Sequence, residues 1–241
     1  MTRTSCSPAP NSHDAAGFQA ALQLQPCGSA TEFFDHDHPT VAQFVEKSLR
    51  NSPEDPRAQA VDLFYAVRDG LFYEIYNADF SRPAMKASAI LQRRSGLCIH
   101  KSVVYVAALR HIGIPARLWL TDVTNHLCSP KLEALMGTRT FHYHALVKLK
   151  LGGQWLKATP VFNARLCQLY GMTPLEFDGV RDCVHHAYDT EGRAHMEIQH
   201  DHGEFLDLPY EMILNGLHEK HGNLFKNETQ FKSGSLIKDV C

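Results

Sequence analysis

The stretch RRSGLCIHKSVVYVAALRHIGIPARLWL, residues 93–120, and its continuation TFHYHALVKLKLGGQWLKATPVFN, residues 140–163, decide the reading of this chain. From Cys98 onward Val103, Val104, Val106, Ala107 and Ala108 leave hardly a polar position, which predicts a helix buried on most sides. Gly113, with Pro115 two residues on, is a helix stop, and Arg117 to Thr121 follows as a short strand. In FHYHALVKLKL a period of two puts His142, His144 and Leu146 on one face, with Tyr143, Ala145, Val147, Leu149 and Leu151 on the other. Gly152-Gly153 supplies a two-residue hairpin turn. The register set by that turn pairs Thr159 with Leu146, so Thr159 shares a face with His144, and Pro160 ends the ladder.

A cysteine attacks as its thiolate, and a free pKa near ~8.5 leaves little thiolate at neutral pH. The first turn of a helix favours negative charge, and an imidazole at the same place completes a thiolate–imidazolium pair. Cys98 at a helix start and His144 on a strand meet both conditions, with His142, of equal parity, as the alternative imidazole. The order, Cys and then His on a hairpin, suits thiol-based acyl chemistry.

The flanks read as support. With 241 residues, 44% of them apolar, the chain can bury one substantial core. The expected division is an N-terminal arm over residues 1–30, one domain over 31–214 and a C-terminal tail over 215–241. A net charge of −2 gives no basic footprint for nucleic acid, and there is neither a polybasic patch nor an apolar run of membrane-spanning length. The N-terminus lacks the apolar core of a secretory signal, and seven cysteines make an odd number. Free thiols in a reducing cytoplasm are the expectation.

Along the chain, a short helix is expected over Ala15 to Leu24. A second is capped by Asp37 or Thr40, with Val41, Phe44, Val45 and Leu49 inward. A third is capped by Ser52 or Asp55 and buries Ala60, Leu63, Phe64 and Val67. Phe72 to Tyr76 is a strand or an ordered loop, and a short helix ending near Gly96 delivers Cys98. Residues 121–138 are expected to form a long polar connection with room for a helical turn. After a short helix from Asn163, two strands are expected around the turn at 189–192, then a short helix and a frayed end from about 215.

The pieces Gly96-Leu97-Cys98, Gly113-Ile114-Pro115-Ala116-Arg117, His144-Ala145 and Gly153-Gln154-Trp155 stand together in one order. As a set over roughly residues 60–165 they resemble the transglutaminase-like superfamily. The later runs PLEFDG and HMEIQHDHG are similar to uncharacterised bacterial members of that group. The resemblance implies an α+β, papain-like fold with the nucleophile helix packed on an antiparallel sheet. It further implies Cys98 as nucleophile and His144 as general base. No cofactor or metal is expected, and the expected partner is a peptide or a small amide or thioester substrate. The chain departs from the family at Thr159, where an aspartate commonly follows the hairpin tryptophan by four residues. A threonine hydroxyl accepts a hydrogen bond without charge, so Asn163 and Asp178 are rival orienters of the imidazole. The Cys98 N–H is the natural first oxyanion donor, with Tyr73 or Tyr76 as the second.

The leading expectation is an acyl-transfer enzyme that passes a thioester to water or to an amine. The competing one is a non-catalytic module that keeps the fold. His36-Asp37-His38, Cys183 with His185-His186, and His200-Asp201-His202 are candidate metal ligands without the paired spacing that marks zinc strongly, and a metalloenzyme using the histidine-rich C-terminal third is a third reading.

Overall fold

A computed structural model describes residues 28–76, 78–126, 130–184, 196–226 and 235–236. The helix expected over Ala15 to Leu24 lies outside them. Helix α1 (Pro39–Leu49) is capped by neither Asp37 nor Thr40: the His38 ring accepts the Thr40 N–H at 3.2 Å. Val41 and Val45 are buried, and Phe44 and Leu49 pack beside them. Helix α2 (Pro56–Gly70) has the expected cap, Asp55 Oδ2 accepting the Ala58 N–H at 2.9 Å, and Ala60, Leu63, Phe64 and Val67 are fully buried.

Strand β1 (Phe72–Tyr73) runs parallel to β2 (Ser95–Gly96), a minimal ribbon that leads into the helix beginning at Cys98. Between them lie a 3-10 turn (Arg82–Met85) and α3 (Ala87–Arg93). The stop after α3 is Arg94, left-handed at φ 61°, rather than Gly96, which has a different task described below. Helix α4 (Cys98–His111) is buried along its length from Cys98 to Arg110, as its sequence predicts. Its polar side chains are spent on backbone carbonyls: Ser102 Oγ donates to Ala145 O, Tyr105 OH to Ala60 O, and Lys101 Nζ to Arg68 O and Leu71 O. Gly113, at φ 78°, closes α4 as expected, with the Ile114 N–H reaching back to Leu109 O.

Strands β3 (Ala116–Asn125), β4 (Thr140–Leu151), β5 (Gln154–Ala158) and β6 (Met196–Phe205) form one sheet in the order β5-β4-β3-β6, antiparallel throughout, with α4 packed on it. Strand β3 runs four residues beyond the expected Thr121. Its polar end is held by β4 on one side and by β6, far along the chain, on the other. The polar connection shrinks accordingly and contains α5 (Pro130–Met136). The β4–β5 hairpin keeps its expected register through Gly152 and Gly153, both at positive φ, and pairing ends at Ala158, just before Thr159-Pro160.

One feature of β4 departs from simple alternation. Thr121 pairs with His144 and Val123 with Phe141, so Asp122 alone faces both His142 and Tyr143, and Tyr143 takes φ 57°. This is a β-bulge, and the clean two-face assignment of residues 142–146 does not run through it.

Helix α6 (Ala164–Leu169) ends at Gly171, and the loop to Cys183 adds only a bridge from Cys183 to Ala158. Of the two strands expected around 189–192, β6 is described, and residues 185–195 lie outside the described set. The expected boundary at 214/215 falls inside α7 (Tyr210–Lys220), which α8 (Asn223–Lys226) follows. Leu217 of α7, Leu224 of α8 and Leu236 are all buried in the common core.

Candidate active site

The start of α4 is shaped by the three residues before and after Cys98. His100 Nδ1 accepts the Leu97 N–H at 3.2 Å, so its Nε2 carries the hydrogen and donates to Asp79 O at 3.1 Å. Burial, helped by the nearby Arg93 charge, pushes this imidazole down to about 4, and it stays neutral. The ring lies so close to Gly96 that a side chain there would collide with it. The glycine of Gly96-Leu97-Cys98 is therefore a space requirement of the helix cap.

Cys98 and His144 line one cavity of about 50 Å³, together with His142, Tyr73 and Leu236. That is room for a water or an acetyl-sized group. Cys98 is 9% exposed and His144 2%. Burial pushes the Cys98 thiol up to about 11, against the backbone of Ala145, Ile99 and Cys98 itself, which favours the thiolate. The expected lowering by the helix N-terminus is thus outweighed by loss of water, and the resting group is a thiol.

The candidate orienters separate. Thr159 is 1% exposed and its Oγ1 makes no hydrogen bond, so the expected contact to an imidazole is not formed. Asn163 is committed to α2: its Nδ2 donates to Arg68 O and Leu71 O, and its Oδ1 accepts the Tyr73 N–H at 2.7 Å. It lines a different cavity, of about 580 Å³, which shares Tyr73 with the first. Asp178 caps its own turn, accepting the N–H groups of Val180 and Arg181, which hold its carboxyl at about 2. Of the tyrosines, Tyr73 borders the Cys98 cavity; buried Tyr76 donates its N–H to Glu74 Oε1.

A carboxylate does serve a cavity imidazole, from the part of β3 beyond Thr121. Asp122 Oδ2 meets His142 Nδ1 at 2.9 Å, while Oδ1 meets His202 Nε2 at 2.6 Å and accepts the Tyr143 N–H at 3.0 Å. Burial raises this carboxyl, and His202, the Tyr143 N–H and His142 lower it by more, so it ends below the usual carboxylate value. His221 Nε2 accepts the His142 N–H at 3.1 Å and its Nδ1 donates to Met136 O. No local pattern signals Asp122, because its partners arrive through the bulge and through β6.

The other histidine runs have different duties. His38 caps α1, His36 Nε2 donates to Gly28 O, and His202 belongs to Asp122, while Asp201 accepts the Trp119 Nε1–H. Among the described residues no group of three or more His, Cys, Asp or Glu is placed to hold a metal ion. His185 and His186 lie outside them. No described helix is long and apolar enough to cross a membrane.

A family model described as the transglutaminase-like superfamily matches residues 43–160, a span that holds Cys98, His144 and Thr159. No curated protein matches the chain. Among solved structures it is similar to one described as a candidate cysteine protease from Cytophaga hutchinsonii, at 16% identity and a TM-score of 0.43, over 58% of this chain and 44% of that one. It is also similar to one described as a TGase, at 15% identity and a TM-score of 0.39, over 61% of this chain and 37% of that one. The match thus spans less than half the length of either.

Proposed function

Because residues 43–160 match the model of the transglutaminase-like superfamily, we propose that Cys98 attacks the carbonyl of an amide or related acyl donor and holds the acyl group as a thioester. His144 is the base. The observation that carries this reading is that Cys98, at the first turn of α4, and His144, on β4, border the same small cavity. Because burial keeps the resting sulfur protonated, the thiol gives up its proton to His144 as the S–C bond forms, rather than waiting as an ion pair. His144 then returns that proton to the departing amine. The Cys98 N–H is the first donor to the oxyanion.

Water is the default acceptor of the thioester, which makes an amidase or peptidase the simplest outcome; an amine acceptor makes the same intermediate a transferase. The thiols of Cys98, Cys167 and Cys183 are free, which suits a reducing compartment. The deciding experiment is intact-mass trapping against a library of small amides and thioesters, with Cys98→Ala as control. An acyl adduct on wild-type protein that vanishes in Cys98→Ala supports the thioester. The rival reading, a module that keeps the fold without turnover, is favoured by the unbonded Thr159 hydroxyl, and no adduct across the library would establish it.

A further inference from the structure

Two imidazoles border the Cys98 cavity, and they are not equivalent. The His144 residue is 2% exposed, whereas the His142 side chain keeps 21% of its surface and sits nearer to solvent. His142 is also the one with a carboxylate. Asp122 can only accept, so at 2.9 Å the hydrogen is on His142 Nδ1, and the lone pair of the neutral ring is left on Nε2. That is the tautomer a general base requires.

The arrangement is held at a conformational cost. Tyr143, beside His142, is a non-glycine residue in the left-handed region at φ 57°, where aromatic residues rarely sit. Its N–H is pinned to Asp122 Oδ1, and its ring stacks on His202 with centroids 4.6 Å apart. The same ring packs against Gly216 of α7, where a β-carbon would collide with it. Strands β3, β4 and β6 and helix α7 therefore combine to keep one strained residue, and the result is a fixed carboxylate–imidazole couple at the cavity.

The geometry points to His142, oriented by Asp122, as the base of the second half-reaction, the one that activates the acceptor for attack on the Cys98 thioester. This rests on the thioester reading above and divides the labour: His144 at depth serves the thiol, and His142 towards solvent serves the incoming water or amine. In that step the acceptor oxygen or nitrogen bonds to the acyl carbon as the C–S bond breaks. The acceptor proton passes to His142 Nε2 and from there to the departing sulfur, so the thiol is regenerated and no other reactant is needed. Asp122 is a positioning residue, since it acts through His142.

The test uses the full chain and p-nitrophenyl acetate, whose acetyl group fits the cavity, with acetylation of Cys98 followed by mass spectrometry. Wild-type protein is expected to acetylate and clear. His142→Gln is expected to acetylate within about threefold of the wild-type rate and to clear more slowly by on the order of a hundredfold or more. Hydroxylamine, which attacks thioesters without a base, should clear both forms at one rate, which a merely misfolded site would not allow. If His142→Gln does not fold, Asp122→Asn carries the same test and should likewise accumulate the acetyl form. Clearance of the folded variant at the wild-type rate overturns the proposal. So does loss of acetylation in His142→Gln with retention in His144→Gln. Should wild-type Cys98 never acetylate, it is the thioester reading that falls, and this one with it.

Discussion

The His100 side chain packs against Gly96 so closely that a β-carbon at position 96 would stand 2.5 Å from His100 Cβ and 2.7 Å from its Cγ. The contact is with the base of the side chain, which cannot swing away without leaving Leu97 N–H unbonded. Gly96→Ala is therefore expected to cost about 1–3 kcal/mol and to shift the first turn of α4 that carries Cys98. Urea unfolding followed by circular dichroism measures this, and an unchanged midpoint would show that the cap has slack.

The same imidazole predicts an acid limb. His100 is depressed to about 4 in the folded chain from an ordinary 6.5, so its contribution is present above pH 6.5 and is lost as pH falls through about 4. The size is ~3 kcal/mol over that window. Stability measured from pH 7 to pH 4 should fall steeply in wild-type protein and less steeply in His100→Gln, itself weaker at pH 7 for want of its cap. Parallel curves would refute the assignment.

Asn163 and Thr159 should behave oppositely. Asn163→Ala removes three hydrogen bonds around the end of α2 and is expected to cost about 2–4 kcal/mol, with turnover per folded molecule little changed. Thr159→Val replaces a buried hydroxyl that bonds to nothing by a methyl of equal size, and is expected to gain up to about 1 kcal/mol. A tenfold loss of turnover in Thr159→Val, with melting unchanged, would restore Thr159 as the orienter of His144.

Leu236 is part of what keeps water from Cys98. It is 4% exposed in the cavity wall, its N–H held by both oxygens of Glu74 and its carbonyl by Tyr170 OH. Wild-type Cys98 alkylation by iodoacetamide should keep rising with pH to about 11, as its raised value requires. Leu236→Ala admits water, and each unit by which the thiol falls brings about tenfold more thiolate at pH 8. Equal rates in the two proteins would place the barrier elsewhere.

What could be read from residues alone was whatever depends on neighbours in the chain. The apolar run of α4, the Gly113 stop, the Asp55 cap of α2 and the register through Gly152-Gly153 are all encoded within a few residues of where they act. That Cys98 begins a helix and His144 lies on a strand was legible for a related reason: both are local features, and their order is written in the chain.

The charge state of Cys98, the partner of His142 and the employment of Asn163 were decided only when distant segments met. Burial by β4, α7 and Leu236 overrides the helix-end effect on the thiol, since loss of water is a property of the whole packed site. Asp122 finds His142 and His202 because a bulge and the edge strand β6 bring them to it, and no spacing in the sequence carries that information. Local patterning settles which segments are helix and strand, because those energies act over a turn or a pleat; the electrostatics of a buried site sum over everything that surrounds it.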